Sequence, residues 1–239
     1  MDYIQKLQQI IDEGERIVFF GGAGVSTESG IPDFRSQDGI YNQKYDYPPE
    51  QIVSHTFFTY HTEEFFKFYR DRMIFENAKP NPAHLFLAKL ESAGKLSAIV
   101  TQNIDGLHQA AGSKKVFELH GSIHRNYCMK CGKFYPLEYV ARGDKVPRCT
   151  CGGIVKPDVV LYEEGLDNDV IEGAIEAISS ADTLIIGGTS LSVYPAASFI
   201  NYFNGKNTVI INKSPTPADK TATLTICDSI GKVFGKIRV

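Results

Sequence analysis

Arg16-Ile17-Val18-Phe19-Phe20-Gly21-Gly22-Ala23-Gly24-Val25-Ser26-Thr27 decides the fold: a short run of large apolar side chains followed by three glycines within four positions. An apolar run of this length, closed by glycine, reads as a strand buried on both faces of a parallel sheet. Gly22-Ala23-Gly24 leading into Val25-Ser26-Thr27 would aim free N–H groups and a helix dipole at a pyrophosphate. Tight turns between strand and helix also need glycine, so the pattern alone does not separate a nucleotide site from a structural turn.

The rest of the chain repeats the theme. Apolar runs at 16–20, 97–100, 183–186, 208–211 and 224–226 alternate with amphipathic stretches, which predicts an α/β fold, a Rossmann-like parallel sheet with flanking helices. Asn81 can cap a helix with Pro82 at its first position, running through Leu85, Leu87, Ala88 and Leu90 until Gly94. A second helix over 167–179 places Val170, Ile171, Ala174, Ile175 and Ile178 on one face. Small and polar clusters follow the strands: Gly21 to Gly24, Thr101-Gln102-Asn103, Gly187-Gly188-Thr189-Ser190, Asn212-Lys213 and Cys227-Asp228. Ligands of open α/β sheets bind outside the carboxyl ends of the strands, so these clusters are expected to line one crevice.

Composition narrows the function classes. With 239 residues, 43% of them hydrophobic and 22% charged, the chain can bury the core of one large domain and a small satellite. A net charge of −3 supplies no broad cationic field, so no nucleic-acid partner is expected. The first eleven residues have helical spacing without the features of a signal peptide, and no apolar run reaches the roughly 20 residues of a membrane span. The expected location is cytoplasmic, with the five cysteines reduced and no membrane partner.

Four of those cysteines carry a separate signal. Cys128-x2-Cys131 stands 17 residues before Cys149-x-Cys151, close to the two-pair spacing of a zinc ribbon with a tighter second pair. Four thiolates close a tetrahedron and leave no position for water, so one structural Zn2+ is expected in an insertion at 126–157, with Cys227 outside it. The stretch has little periodicity, and the metal would supply stability that burial cannot.

Two departures from the dehydrogenase fingerprint argue against hydride transfer. Thr27 replaces the third glycine, and no second strand ending in an acid follows about 20 residues on; an irregular loop, Gly30-Ile31-Pro32-Asp33-Phe34-Arg35-Ser36, comes instead. That loop belongs to the string Gly22-Ala23-Gly24-Val25-Ser26-Thr27-Glu28-Ser29-Gly30-Ile31-Pro32-Asp33-Phe34-Arg35, which resembles a sirtuin signature segment. So do Thr101-Gln102-Asn103-Ile104-Asp105-Gly106-Leu107-His108 and Leu119-His120-Gly121. The resemblance continues through the cysteines, Lys156-Pro157-Asp158-Val159-Val160, Gly188-Thr189-Ser190 and Asn212.

The resemblance implies an NAD-dependent protein lysine deacetylase or deacylase, in which NAD is a co-substrate and acylated-lysine proteins are the partners. On that pattern His120 is the general base that activates a ribose hydroxyl, a role suited to imidazole. Asn103 and Gln102 would contact the ribose, both able to donate and accept. Asp105 and Ile104 would hold the nicotinamide amide, Phe34 would cover the reacting sugar, and Arg35 would face the diphosphate. Ala23, Gly24, Thr27, Gly188, Thr189, Ser190 and Asn212 would complete the NAD site, with an adenine contact within 227–230, set at Ile230. The catalytic domain would comprise 1–125 and 158–239, with a helical insertion near 37–78 beside the zinc insertion. Transfer of ADP-ribose to protein and a non-catalytic zinc-bearing interaction module are the rival readings.

Relatives that prefer acidic acyl groups carry a Tyr-x-x-Arg pair on the helix corresponding to about 62–74. Anchored on Glu64-Phe65, the alignment puts Phe66 and Tyr69 at those positions, giving an apolar wall that favours acetyl; Tyr69 and Arg72 also fit the spacing but lie three residues late, which turns Arg72 about 60° away from the pocket face. Glu163, where the family has Phe-Gly-Glu, would favour basic peptides.

Overall fold

The computed structural model describes residues 2–34, 39–40 and 46–239. Arg35, expected at the diphosphate, lies outside the described residues. The chain opens with helix α1 (Tyr3–Glu13) and strand β1 (Ile17–Gly21), and the helices α2 (Pro49–Ile52), α3 (His55–Tyr60) and α4 (Thr62–Arg72) follow. Next come α5 (Pro82–Ser92), β2 (Leu96–Thr101), α6 (Leu107–Ala110), β3 (Val116–Glu118), β4 (Gly121–Cys128), β5 (Phe134–Tyr135) and α7 (Leu137–Ala141). The last third holds β6 (Val155–Val159), α8 (Asn168–Ser180), β7 (Thr183–Gly187), β8 (Asn207–Ile211), β9 (Leu224–Ile226) and α9 (Ile230–Phe234).

Six parallel strands form the main sheet in the order β3-β2-β1-β7-β8-β9. Successive side chains of a strand point to opposite faces, and in β1 all of them are buried because helices cover both. Ile17 and Phe19 pack with Leu7 and Ile11 of α1, Leu87 and Leu90 of α5, and Val233 and Phe234 of α9. Val18 and Phe20 pack on the other side with Ala174, Ala177 and Ile178 of α8. Helix α5 begins as its sequence dictates: the Asn81 side chain accepts the Ala83 N–H at 2.9 Å, and His84 completes a capping box. Asp167 caps α8 through the Val170 N–H at 3.0 Å.

A smaller lobe stands over one end of this sheet. Its antiparallel sheet, β5-β4-β6, shares one core with the helices α3 and α4: Phe57, Phe65, Phe66 and Tyr69 pack with Val140, Val155 and the side chains of Cys128 and Cys149. The ring centroids of Phe58 and Phe65 are 5.0 Å apart and those of Phe65 and Phe66 5.3 Å, both edge to face. Arg70 of α4 clasps the cysteine-bearing segment, Nε donating to Val140 O at 2.8 Å and Nη2 to Lys145 O at 2.6 Å. No helix among the described residues is long and apolar enough to cross a membrane.

Candidate active site

Strand order reverses at β1 and β7: the chain runs from β1 toward β2 and β3 on one side and toward β8 and β9 on the other. A crevice opens at the carboxyl ends of these strands, where a doubly wound sheet binds its ligand. It has a volume of about 550 Å³ and is lined by Ala23, Gly24, Thr27, Phe34, Gln102, Asn103, Ile104, Asp105 and His120 from one half of the chain. Gly188, Thr189, Ser190, Asn212 and Ile230 line it from the other. Every described residue expected at the nucleotide site is therefore brought to one cavity, and Asp228 and Ser229 join Ile230 where the adenine contact was left open.

The segment after β1 departs from expectation. It forms two short 3₁₀ turns, Ala23–Val25 and Thr27–Ser29, and no long helix whose dipole could face a phosphate. The N–H groups of Gly22, Gly24, Val25 and Ser26 are spent on the carbonyls of Gly187, Gly188, Gly22 and Ala23. Gly24 serves close approach instead: a Cβ there would lie 2.8 Å from Gly188 Cα. Glu28 holds the loop from outside, its Oε2 accepting the Gly231 N–H at the start of α9 at 2.7 Å.

His120 sits in the link between β3 and β4, mostly buried. Its Nδ1 lies 3.0 Å from Gln102 O. A carbonyl can only accept, so Nδ1 carries the proton and Nε2 keeps the lone pair, the tautomer a general base needs. Burial holds this imidazole below the ordinary 6.5, against the bond to Gln102, so it stays neutral near pH 7.

Ser26, which the sequence reading left without a side-chain role, links the polar residues across the floor. Asn103 Nδ2 donates to Ser26 Oγ at 3.1 Å, and Ser26 Oγ donates to Asp105 Oδ2 at 2.6 Å. The other Asp105 oxygen accepts the Leu107 N–H at 2.9 Å. Burial raises the Asp105 carboxyl, and the bonds from Ser26 and Leu107 oppose that rise. His124 reaches Asp105 O at 3.1 Å through Nε2. Gln102 donates to Thr189 Oγ1 at 3.1 Å and ties the two halves of the crevice together. His108 braces the floor from below: it is fully buried against His84, ring centroids 4.8 Å apart, and burial pushes the pair down to about 3 and about 4.

The α4 register also departs from expectation. Phe66 and Tyr69 are fully buried in the lobe core, the Tyr69 hydroxyl without a partner, while Arg72, Met73 and Phe75 line the crevice. The reason is that α4 ends at Arg72, so the end of the helix, and not its face, meets the cavity. Glu163 lines the crevice with its carboxylate oriented by Thr56, whose N–H and hydroxyl donate to Oε2 at 2.9 and 2.7 Å in the first turn of α3, and these bonds hold the carboxyl below its ordinary range.

The four cysteines fit a metal. Their sulfurs all lie within 4.8 Å of one another, with Cys128–Cys151 and Cys131–Cys151 at 3.5 Å and Cys131–Cys149 at 3.6 Å. A tetrahedron with zinc–sulfur bonds of about 2.3 Å has edges of about 3.8 Å. The Lys130 N–H points at Cys128 Sγ, 3.4 Å away, as a donor to thiolate should.

A crevice at the switch point of a parallel sheet, lined by glycines and a neutral imidazole with a four-thiol lobe beside it, is a setting suited to a dinucleotide. Comparison with known proteins agrees. Residues 22–195 match the model of the Sir2 family. The chain is 65% identical to the NAD-dependent protein deacetylase of Clostridium acetobutylicum over 98% of this chain and 97% of that one. It is 66% identical to the enzyme of the same name from Clostridium perfringens, over 99% and 98%. A solved structure of Sir2 with a p53 peptide and NAD+ is similar with a TM-score of 0.86 and 39% identity, covering 98% of this chain and 96% of that one. The chain belongs to the Sir2 family.

Proposed function

We propose that this protein is an NAD-dependent protein lysine deacetylase that cleaves NAD to nicotinamide and transfers the acyl group of an acylated lysine to ADP-ribose. The observation that carries the reading is the convergence of Asn103, Asp105 and His120, linked through Ser26 and Gln102, in one crevice of a Sir2-family chain. NAD supplies an electrophilic ribose carbon with nicotinamide as its leaving group. Asp105, with the backbone of Ile104, holds the nicotinamide amide; each carboxylate oxygen has one bond inside the protein and a second lone pair to offer. Asn103 and Gln102 take the ribose hydroxyls, and Phe34 covers the sugar from solvent. The acyl oxygen of the lysine bonds to the ribose carbon as nicotinamide leaves; His120 Nε2 then accepts the proton of a ribose hydroxyl, which attacks the acyl carbon, and water completes release of the lysine amine with the acyl group left on ADP-ribose. Ala23, Thr27 and the close approach at Gly24 face the diphosphate together with Arg35, and Gly188, Thr189, Ser190, Asn212 and Ile230 hold the adenosine end.

The two inserted stretches, near 37–78 and at 126–157, act as one lobe over the crevice, and the four cysteines hold one structural Zn2+. Thiols kept for a metal need a reducing compartment, which supports the cytoplasm. The formal charge of −3 supports a protein substrate over a nucleic acid.

Purified protein incubated with NAD and an acetylated peptide is expected to release nicotinamide in step with loss of the acetyl mass. A peptide that gains ADP-ribose would select the transferase reading, and no NAD-dependent product would leave only the interaction module. With the Tyr69 hydroxyl sealed in the core, kcat/KM for acetyl-lysine is expected to exceed that for succinyl-lysine on one peptide. Arg72 at the cavity wall can still contact a carboxylate. Arg72→Ala is expected to cut the residual succinyl activity about tenfold and to leave acetyl activity within about twofold, since a charged hydrogen bond contributes roughly 1.5–3 kcal/mol. Equal losses on both substrates would remove Arg72 from the acyl end of the crevice.

A further inference from the structure

Strand β4 carries a long bulge beside the crevice. Ser122 pairs with Asp158 and Asn126 with Pro157, so three residues, Ile123, His124 and Arg125, have no counterpart on β6. Bulges next to active sites re-aim side chains. This one is closed by the buried Asn126, whose Nδ2 donates to Ile123 O and Tyr135 O, both at 3.2 Å. Each bulged residue grips a different piece of the surroundings. The Ile123 N–H donates to Ile104 O at 3.0 Å, and His124 reaches Asp105 O. Arg125 turns the other way, Nη1 to Glu118 Oε2 at 2.6 Å and Nε to Asp158 Oδ2 at 2.7 Å.

Those two carboxylates flank the His120 turn. Glu118 ends β3 two residues before His120, and Asp158 lies on β6 against Gly121, where φ is +75° and any side chain would collide with the Asp158 carbonyl. His120 O accepts the Val160 N–H at 3.1 Å, so the backbone of the histidine is seated just past β6 while its imidazole is oriented by Gln102, just past β2. We propose that Arg125 is a positioning residue for His120: its guanidinium ties β3 to β6 and fixes the two-residue link that carries the imidazole. Arg125 does not line the crevice and acts through the turn. Exposed ion pairs hold little, but the Glu118 side chain is only 9% exposed. Without the cation it would remain as a nearly buried charge close to a second carboxylate, a repulsion that loosens the hold of β3 and β6 on the link. Misplacement of a reacting group by about 1 Å costs on the order of 10²-fold.

The proposal rests on His120 as the base that acts after nicotinamide departs, and that order supplies the test. In the full-length enzyme, Arg125→Met is expected to lower kcat for deacetylation about 10- to 100-fold. The KM for NAD should stay within about twofold. Exchange of labelled nicotinamide into NAD in the presence of acetylated peptide, which precedes the base step, is expected to persist within about threefold. Arg125→Lys, which keeps the charge but spans only one carboxylate, should recover part of kcat. A purely structural role would depress deacetylation and exchange by the same factor, and that result, or an unchanged kcat, overturns the proposal. If Arg125→Met does not fold, Asp158→Asn removes the more exposed arm, and the same split between the two reactions is expected; its absence is again decisive. Wild-type enzyme that exchanges no nicotinamide would instead refute the functional reading on which the proposal stands.

Discussion

Replacing His120 with tyrosine is expected to lower acyl removal by about 10²–10⁴-fold, the loss typical of a general base, in a protein that folds and holds its metal normally. The bond from Nδ1 to Gln102 O assigns the proton to the inner nitrogen and leaves the outer one basic, and a phenol cannot reproduce that division. The dependence on pH gives a second signature. Burial disfavours the imidazolium, so the folded-state value lies below the ordinary 6.5. The acid limb of kcat/KM in the wild type, which reports the free enzyme, is therefore expected to fall below pH 6.5 and to be missing from the residual activity of His120→Tyr. Linkage carries the same sign: the unfolded chain takes the proton first, so this histidine costs stability as pH falls through 6.5 toward its folded value. Steady-state rates over a pH series, with circular dichroism on the same samples, check both statements. Near-wild-type turnover by the tyrosine variant, or a limb centred above 6.5, would remove His120 from the base role.

Much of this was legible in the sequence because it is local. A strand buried on both faces is a run of apolar residues, and β1, β7, β8 and β9 lie within a residue of where those runs place them. Asn81-Pro82 and Asp167 announce helix starts through chemistry that acts over three residues. What failed depended on partners distant in the chain. The amides after β1 look free for a phosphate until β7 arrives and takes the Gly24 N–H through Gly188 O at 2.8 Å. The face of α4 was misread because several aromatics in seven residues permit more than one register, and only packing against Val140 and Val155 selects the buried one. The bulge at Ile123 to Arg125 has no sequence signature, since a bulge is defined by the strand opposite. The cysteines succeeded for the reason the bulge failed: paired spacing of metal ligands is written along the chain.

Cys149→Ala is expected to release the metal, melt the small lobe first and abolish activity, although no cysteine reaches the crevice. Elemental analysis of the wild type should find about one zinc per chain, the number one tetrahedral four-thiolate site holds. In the variant three sulfurs remain, and the cost exceeds one lost ligand because the side chains of Cys128 and Cys149 also belong to the core that α3 and α4 share with β4 and β6. Metal ligation in small zinc modules supplies roughly 10–16 kcal/mol, which a lobe of this size cannot recover from burial alone. In a separately melting unit of about 60–100 residues each kcal/mol lost moves the melting temperature by about 4–8 °C, so a loss of only part of that amount lowers the lobe's transition by 10 °C or more, on the order of tens of degrees. The six-stranded sheet has separate cores on its two faces, and its transition is expected to remain at higher temperature, turning one melting step into two. Activity falls with the first step because Ile123, Val159 and Val160 of the lobe wall the crevice and Val160, just past β6, seats the His120 backbone. Calorimetry paired with metal analysis decides the matter: a variant that keeps stoichiometric zinc and a single unshifted transition would show that the four thiols do not form the site.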